Sequence, residues 1–314
     1  MQALVFTAAG RVELREEPEP EAGADDVVVQ VRASGICGSE LHGFRTTTFR
    51  TPPLIMGHEF TGTAPDGTRV VINPLLSCGT CASCVINRPQ VCRSRQLLGV
   101  TRAGGFAERV SVPRSSLHRL PDELSWSAGA LIEPLANAVH AWTRVPDLPE
   151  EVAIIGAGPI GLACGLVARV RGVAVRMYET APARRGVAET LGFTTCETLS
   201  ATDEFEVIVD AVGSTGTREA STRHTAPGGT AIWLGLASDV AELAGNALVR
   251  GERSIAGSFA YRPGDFTAAV ALAGSLDLGW ATDIPLADAE ATFYALAEGR
   301  NDIVKAVLVP PAMS

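Results

Sequence analysis

The feature that most restricts how this chain can fold is residues 151–179, where an apolar run, a glycine-rich turn and an alanine-rich stretch lead to a second apolar run. The turn, IIGAGPIG, places Gly156, Gly158 and Gly161 in a G-x-G-x-x-G pattern between a predicted strand and a predicted helix. Such glycines allow a tight turn, a close approach of the backbone to a pyrophosphate and close helix packing, while the helix N-terminus attracts an anion. The segment therefore predicts a βαβ unit that binds a dinucleotide.

The acidic residue Glu179 ends the second apolar run, 18 positions after the last glycine of the pattern. A carboxylate about 20 residues beyond the glycines is expected to hold the adenosine ribose, which favours NAD over NADP. Arg184 and Arg185 follow, and a guanidinium near this position can instead accept a 2′-phosphate. A glycine turn without any cofactor is the other alternative. We expect a cofactor site that contains the three glycines, Pro159, Ile160, Glu179 and Arg184.

Two regions of different pattern follow one another along the chain. From Glu151 onward, apolar strand-like runs alternate with alanine-rich helical stretches, which predicts a parallel sheet with helices on both faces. Residues 1 to about 120 contain short β-type runs separated by Gly, Pro and Asp turns, and Pro146 and Pro149 mark the expected linker. With 314 residues, of which 46% are hydrophobic, the chain is long enough for two domains. The expected fold class is α/β plus mainly β.

Four of the seven cysteines lie in one short polar loop, CGTCASCVINRPQVC, which spans residues 78–92. The N-terminus lacks the pattern of a signal peptide, so we expect a cytoplasmic protein, in which clustered thiolates are metal ligands more often than disulfides. Close spacing suits a tetrahedral zinc with Cys78, Cys81, Cys84 and Cys92 as ligands. An iron–sulfur site is the alternative that spacing alone leaves open.

A second set of metal-binding residue types is spread over three segments, GICGSELHGF, MGHEF and LIEPLANAVHA. These segments contain Cys37, His58, Glu59 and Glu133, and cysteine, histidine and glutamate all bind zinc. A catalytic zinc site uses three protein ligands and leaves one position open. Spacing alone does not pair Cys37 with His58.

Charge and composition exclude several classes of function. The net charge of −9 argues against a nucleic-acid partner, because phosphate backbones require a basic surface. The longest apolar runs are broken by glycines and are shorter than the ~20 residues of a membrane span. Lys305 is the only lysine, so the lysine of a P-loop and the Tyr-x-x-x-Lys pair of short-chain dehydrogenases are both absent. We expect an enzyme that acts on a small molecule, without nucleic-acid or membrane partners.

Seven motifs occur in an order typical of one enzyme family: GICGSELHG, MGHEF, the four-cysteine loop, GGFAERVSVP, IEPLANAVHA, IIGAGPIG and AVGS. In these motifs the chain resembles the zinc-dependent medium-chain dehydrogenase/reductase family, and within it the polyol branch of sorbitol, threonine and butanediol dehydrogenases. The resemblance implies a GroES-like catalytic domain, residues 1–145 completed by 275–314, with an inserted Rossmann domain, residues 146–274. It also implies an active site in the cleft between the domains and a homodimer or homotetramer.

The resemblance implies two zinc ions per chain. The catalytic zinc would be held by Cys37, His58 and a glutamate, and the structural zinc by the four-cysteine loop. Glu133 stands where the polyol branch carries a ligand, while Glu59 either ligates directly or stands behind the metal. Which of the two glutamates binds zinc in the resting enzyme is left open.

The reaction implied by the resemblance is the NAD(H)-linked interconversion of a secondary alcohol, of polyol, cyclitol or amino-alcohol type, and the ketone by hydride transfer. Ser39 would take the proton of the substrate hydroxyl and relay it through the cofactor ribose toward His42. Val212 and Gly213, in the AVGS motif, would join the cofactor site.

Two other functions are compatible with parts of this pattern. A zinc-free NADPH quinone or enoyl reductase of the same superfamily would keep the glycine turn and lose the metal ligands. A non-catalytic NAD-binding zinc protein would be expected to lose Ser39 or the catalytic ligand set. Arg45 and Arg50 lie in a loop that forms part of the substrate pocket in the family, so a polar or anionic substrate is consistent with the sequence.

Overall fold

The structure is a computed structural model that describes residues 1–145 and 147–311. The chain forms two compact units: Met1–Glu133 together with the stretch from Arg262 onward, and Pro134–Tyr261. Both boundaries lie N-terminal to the positions expected from the sequence, which follow residues 145 and 274. Pro146, the first residue of the expected second domain, lies outside the described residues.

The strands, in chain order, are β1 Gln2–Ala8, β2 Arg11–Glu16, β3 Asp26–Gly35, β4 Leu54–Ile55, β5 Glu59–Thr63, β6 Arg69–Ile72, β7 Leu75–Leu76, β8 Gln96–Leu97, β9 Arg109–Pro113, β10 Leu117–Arg119, β11 Glu151–Ile155, β12 Ala174–Tyr178, β13 Thr194–Cys196, β14 Phe205–Asp210, β15 Thr225–Trp233, β16 Ser254–Gly257, β17 Thr282–Pro285 and β18 Ala306–Val309. The α-helices are α1 Gly38–Gly43, α2 Ala82–Val85, α3 Trp126–Ala130, α4 Ile132–Ala141, α5 Pro159–Val170, α6 Pro182–Thr190, α7 Thr215–Arg223, α8 Gly245–Arg250, α9 Pro263–Ala273 and α10 Ala289–Ala297.

The main sheet of the first unit has the strand order β10-β6-β5-β3-β18-β17, with β9 also paired to β3. In β3 the side chains of Val27, Val29 and Val31 are buried in alternation and pack with Val110 and Val112 of β9. This period of two is the expected pattern of a strand with one face in the core. The mainly β character expected for this part of the chain is confirmed.

The C-terminal stretch belongs to the first unit through both a helix and a strand. Phe266 of α9 contacts the ring of His118, with centroids 4.8 Å apart. Strand β18 pairs antiparallel with β3, and Val307 lies opposite Gly35. The first unit is therefore built from both ends of the chain, and α9 belongs to it rather than to the second unit.

The second unit contains one parallel sheet with the strand order β13-β12-β11-β14-β15-β16. The strand order reverses at β11, and in such doubly wound sheets ligands bind beyond the carboxyl ends of the strands at this point. Residues 152–155 of β11 are all buried, as expected for a central parallel strand covered on both faces. The Rossmann-type parallel sheet expected from the sequence is confirmed.

Helix α5 follows β11 directly and brings the glycine turn to the carboxyl end of the sheet. Gly158 is its N-cap residue and Pro159 occupies its first turn, where a missing N–H costs nothing. Residues 161–168 are all buried, so the middle of the helix is enclosed on every side. Within the described part of the chain, no helix combines the length and apolar character needed to cross a membrane.

Candidate active site and metal sites

The side chain of Glu40 links two segments of the first unit that are distant in sequence. Its Oε2 accepts the backbone N–H of Cys37 at 2.9 Å, and its Oε1 accepts the backbone N–H of Gly57 at 2.9 Å. The same Oε1 lies 2.9 Å from Nδ1 of His58. Glu40 is fully buried in α1. The carboxylate therefore holds Cys37 and His58 next to each other, which sequence spacing could not show.

The contact with Glu40 also determines which ring nitrogen of His58 is free. An ionised carboxylate only accepts hydrogen bonds, so Nδ1 of His58 donates, and Nε2 is the nitrogen that can bind a metal once the metal has displaced its proton. Burial alone would raise the pKa of Glu40, but the His58 ring and the Arg50 guanidinium outweigh it and hold that pKa below 4.5. Glu40 is accordingly ionised at neutral pH.

Cys37, His58 and Glu59 form a group whose sulfur, ring nitrogen and carboxylate oxygen all lie within 4.8 Å of one another. His58 and Glu59 are buried and Cys37 is half-buried. These are ligand types that zinc accepts, and three of them leave one position of a tetrahedron open. The structure thus brings together three of the four ligands expected from the sequence. Glu133 is also buried but is not a member of this group.

The electrostatics of this group favour a positive charge at its centre. Burial by itself lowers the pKa of His58, but the negative charges of Glu40 and Cys37 outweigh burial and raise that pKa well above 6.5. The same negative groups would stabilise a dication, because opposite charges interact strongly where water is excluded. The donor set and its charge therefore fit a zinc ion.

Lys305 is the residue of this site that sequence reasoning missed. Its ammonium forms an ion pair with Glu59 and donates a hydrogen bond of 2.9 Å to the carbonyl of Ile36. Burial alone would lower the pKa of Lys305, but Glu59 and Cys37 outweigh burial and raise it above 10.5. A sequence signal existed, since Lys305 directly precedes the apolar run AVLV that forms β18.

Ser39 and His42 both lie on α1 and are exposed. Residues three apart share one side of a helix, so the two side chains are neighbours on its surface. Arg50 is buried rather than solvated, and it donates to the carbonyls of Ser39 and Gly99, both at 3.4 Å. Arg50 therefore ties its own segment to the first turn of α1, whereas Arg45 is exposed.

The four-cysteine loop gathers its thiols at one point. The Sγ–Sγ distances are 3.5 Å for Cys81–Cys84 and Cys78–Cys92, 3.7 Å for Cys81–Cys92 and 3.9 Å for Cys78–Cys84. Four sulfurs bound ~2.3 Å from one ion at the corners of a tetrahedron lie about 3.8 Å apart. A disulfide would require about 2 Å. The loop therefore has the geometry of a closed site for a single tetrahedral ion.

Two of these thiols differ strongly in acidity. Hydrogen bonds from the backbone near Thr80 and Cys81 lower the pKa of Cys78 to about 6, because they stabilise the thiolate. Burial, and then the neighbouring Cys81, raise the pKa of Cys84 to about 11. At neutral pH a metal ion would meet Cys78 already ionised and would displace a proton from Cys84.

The glycine turn of the second unit has the conformation that the sequence predicts. Gly156 has a φ of +96°, which a side chain would strain, and a Cβ on Gly161 would collide with the carbonyl of Gly156. A Cβ on Gly158 would meet no heavy atom within 4 Å. Open space at Gly158 beside the N-terminus of α5 fits the pyrophosphate of a dinucleotide. Pro159 and Ile160 are half-buried at the start of the helix.

Val212 and Gly213 follow the carboxyl end of β14 and lie beside the glycine turn. A Cβ on Gly156 would lie 2.6 Å from Cγ2 of Val212. Asp210 accepts the N–H groups of Val212 and Gly213, at 3.0 and 2.8 Å, and so shapes their turn. The AVGS motif and the glycine turn thus meet at the same edge of the sheet.

Glu179 follows β12 at this edge and is bound to the backbone on both sides. Its Oε2 accepts the N–H of Ala157 at 2.9 Å, and its Oε1 accepts the N–H of Ala181 at 2.8 Å. Each carboxylate oxygen keeps a second lone pair for a ribose hydroxyl. Arg185 donates to the carbonyl of Glu179 at 2.8 Å, while Arg184 is exposed.

The mainly β unit thus contains a Cys-His-Glu group that fits a metal ion, and the doubly wound unit contains an open glycine turn that fits a dinucleotide. Two family models match the chain, an alcohol dehydrogenase GroES-like domain over residues 23–122 and a zinc-binding dehydrogenase over residues 159–275. D-altritol 5-dehydrogenase of Agrobacterium fabrum is 35% identical over 268 residues, which cover 77% of this chain and 79% of the relative. The chain belongs to the zinc-binding alcohol dehydrogenase family, which confirms the resemblance found in its motifs.

Two further proteins show the range of this similarity. L-threonine 3-dehydrogenase of Streptomyces coelicolor is 41% identical over 176 residues, so the alignment spans about half the length of that relative, 51%. The solved structure of a zinc-binding dehydrogenase from Sinorhizobium meliloti 1021, bound to NADP, is 28% identical with a TM-score of 0.90, covering 98% of this chain and 99% of that one. Relatives thus differ in the substrate they are named for, and one carries NADP.

Proposed function

We propose that this chain is a zinc-dependent, NAD-linked dehydrogenase that interconverts a secondary alcohol, of polyol, cyclitol or amino-alcohol type, and the ketone. The observation that carries the proposal is the convergence of Cys37, His58 and Glu59 around Glu40. The chain lies in a family whose relatives are named D-altritol 5-dehydrogenase and L-threonine 3-dehydrogenase. The open glycine turn supports a dinucleotide as the hydride carrier.

Two zinc ions per chain are proposed. Cys37, His58 and one glutamate would hold the catalytic ion, with Glu59 and Glu133 exchanging in that place so that one position stays open. The four cysteines would hold the structural ion. A zinc ion at the first group supplies Lewis-acid polarisation of the substrate oxygen, and NAD, when bound, supplies the acceptor for the hydride.

The protein groups have three tasks in this proposal. Glu40 orients His58 so that Nε2 faces the metal position. Ser39 would accept the proton of the substrate hydroxyl at its Oγ while its own hydroxyl proton passes on toward His42, which lies on the same side of α1 and would release a proton to solvent. The exposure of both residues supports this path.

NAD is proposed as the cofactor because Glu179, fixed against the glycine turn, presents negative charge where NADP carries its 2′-phosphate. Because one relative was solved with NADP bound, the preference for NAD over NADP is to be measured by steady-state kinetics with both cofactors. Arg184, exposed at the start of α6, is the residue that would favour NADP if the preference were reversed. A homodimer or homotetramer and a cytoplasmic location are proposed on the family resemblance and the sequence.

A zinc-free quinone or enoyl reductase is disfavoured because the structure assembles a complete ligand group, which such an enzyme would not need. A non-catalytic zinc protein is disfavoured because Ser39 is present and exposed on the helix that begins next to Cys37.

One experiment separates these functions. Zinc content is measured in the purified protein, and reduction of NAD and NADP is followed with a panel of polyols, cyclitols, secondary amino alcohols and simple secondary alcohols. Two zinc ions per chain with NAD reduction by at least one substrate class supports the proposal. A zinc-loaded protein that reduces neither cofactor with any alcohol, or a zinc-free protein that reduces quinones with NADPH, contradicts it.

A further inference from the structure

The chain contains one lysine, and that lysine is 2% exposed. Removing an ammonium group from water is costly unless it is paired and hydrogen-bonded. Lys305 meets both conditions, through Glu59 and the carbonyl of Ile36. An apolar side chain at this buried position would avoid the cost altogether, so the retained charge calls for a role beyond packing.

The strand pairing explains how the two charges meet. Gly35 of β3 lies opposite Glu59 on one side and opposite Val307 on the other. A Cβ on Gly35 would collide with Oε2 of Glu59 and would lie 2.9 Å from Cε of Lys305. The missing side chain at Gly35 therefore makes the room in which the ammonium and the carboxylate touch.

Glu59 is thus shared between two cationic positions. One of its oxygens lies within 4.8 Å of the sulfur of Cys37 and a ring nitrogen of His58, where a metal ion would bind. Its Oε2 is held by the ammonium of Lys305. A carboxylate that is already neutralised by an ammonium is a weaker ligand for a dication, because the two cations compete for the same negative charge.

We propose that Lys305 is a positioning residue that competes with zinc for Glu59 and so keeps this carboxylate a weak, exchangeable ligand. A weakly held carboxylate can leave the metal when substrate arrives, which frees a coordination position beside the one that is already open. The inference rests on the proposed zinc at Cys37, His58 and Glu59.

The test measures zinc release to a chelator in excess, in which the two sites give separate phases. The His58→Ala variant identifies the phase that belongs to the Cys-His-Glu group, since only that phase is lost. Lys305→Met introduces an uncharged side chain of similar length. In this variant zinc should leave the group at least about tenfold more slowly, because Glu59 no longer shares its negative charge with an ammonium and binds the metal more tightly. Substrate turnover in the same variant should fall. Lys305→Arg keeps the charge and should restore most of the parental release rate.

A matched background separates competition from mere packing. In Glu59→Gln the side chain carries no charge to share, so adding Lys305→Met should change zinc release by less than about twofold. A purely structural lysine would instead give faster zinc loss in both backgrounds. If Lys305→Met does not fold, Lys305→Gln serves as the second uncharged variant, since its amide can still donate to Ile36.

The outcomes distinguish this inference from the proposed function. The role of Lys305 alone is overturned by one combination of results. In that case the parental protein reduces NAD and His58→Ala lacks one zinc, but zinc release is unchanged or faster in the uncharged Lys305 variants. Parental protein without zinc at the Cys-His-Glu group overturns the proposed function itself. Slower release that depends on Glu59 supports the competition.

Discussion

The two cysteine-containing groups of the first unit both offer ligands to a metal ion, but they differ in where the ligands come from and in how deeply they are buried. The four-cysteine loop takes its ligands from 15 consecutive residues, is partly exposed and offers one kind of donor. The Cys-His-Glu group takes its ligands from two separate segments, is mostly buried and is bordered by Glu40 and Lys305. Four thiolates saturate a tetrahedral ion, whereas three mixed ligands leave a position for chemistry. The comparison teaches that a structural site needs only local spacing, while a reactive site needs charged neighbours supplied by the fold.

The largest expected effect comes from the reactive group. His58→Ala removes the ligand that Glu40 orients, so kcat/KM for alcohol oxidation should fall by roughly 10³-fold or more. One zinc per chain should be lost, while the second zinc and NAD binding persist. Metal analysis and cofactor titration check these results, with His42→Ala, on the exposed side of α1, as the control that keeps both zinc ions. A His58→Ala variant with two zinc ions and parental turnover would show that the Cys-His-Glu group does not hold a catalytic zinc.

The next effect belongs to the four-cysteine loop. Cys84→Ser removes one of four ligands, and because metal binding at such sites is coupled to folding, the melting temperature should fall by about 10 °C. Turnover per folded, zinc-loaded active site should stay near the parental value. Calorimetry and active-site titration measure the two quantities, and Cys196→Ser, outside both groups, should leave both unchanged. Full metal content with an unchanged melting temperature would show that the loop is not a structural metal site.

Glu40→Gln tests the charged neighbour that distinguishes the Cys-His-Glu group from the four-cysteine loop, and it removes no metal ligand. An amide can still accept a hydrogen bond from His58, but the negative charge that favours the dication is lost, so zinc affinity of the Cys-His-Glu group should fall about 10- to 100-fold. The zinc of the four cysteines should be unaffected. Because the pKa of Glu40 is held below 4.5, its stabilising effect is present above that pH and is lost as the pH falls through the lowered value. Parent and variant should therefore differ in stability at neutral pH and converge in acid, as measured by urea unfolding.

The smallest effect concerns protons at the four cysteines. Zinc affinity of this loop should rise with pH through the neutral range, by about tenfold per pH unit for each thiol that must ionise, and Cys84, with a pKa of about 11, is one of them. Below pH 6 the dependence should steepen, because Cys78, with a pKa of about 6, becomes protonated as well. Competition with a chelator between pH 5 and 8 measures the slope. A slope that does not change near pH 6 would show that Cys78 is an ordinary thiol.

Local features of the site could be predicted from the sequence, and distant pairings could not. The glycine turn, Glu179 after β12 and the four-cysteine loop are each contained in one short segment, and their patterns indicated the fold and the chemistry. The sequence left Glu59 and Glu133 as equal candidates, and only the structure groups Glu59 with Cys37 and His58.

The features that the sequence did not predict depend on contacts between strands that are far apart in the chain. Glu59 and Lys305 come together because β5 and β18 both pair with β3, and no local period carries that information. For a related reason, α9 packs against a ring in the first unit although it follows the parallel strands in sequence. The contact between Glu179 and the N–H of Ala157 likewise depends on how two loops approach each other.

The burial of the single lysine gives the folded protein an unusual chemical surface. Reagents and enzymes that modify lysine side chains find no accessible lysine while the first unit is folded, because the one side-chain amine is 2% exposed. Modification at Lys305 can proceed only through molecules that have opened locally or globally. The rate of acylation at this residue would therefore measure how often the protein opens locally or globally, without an engineered label.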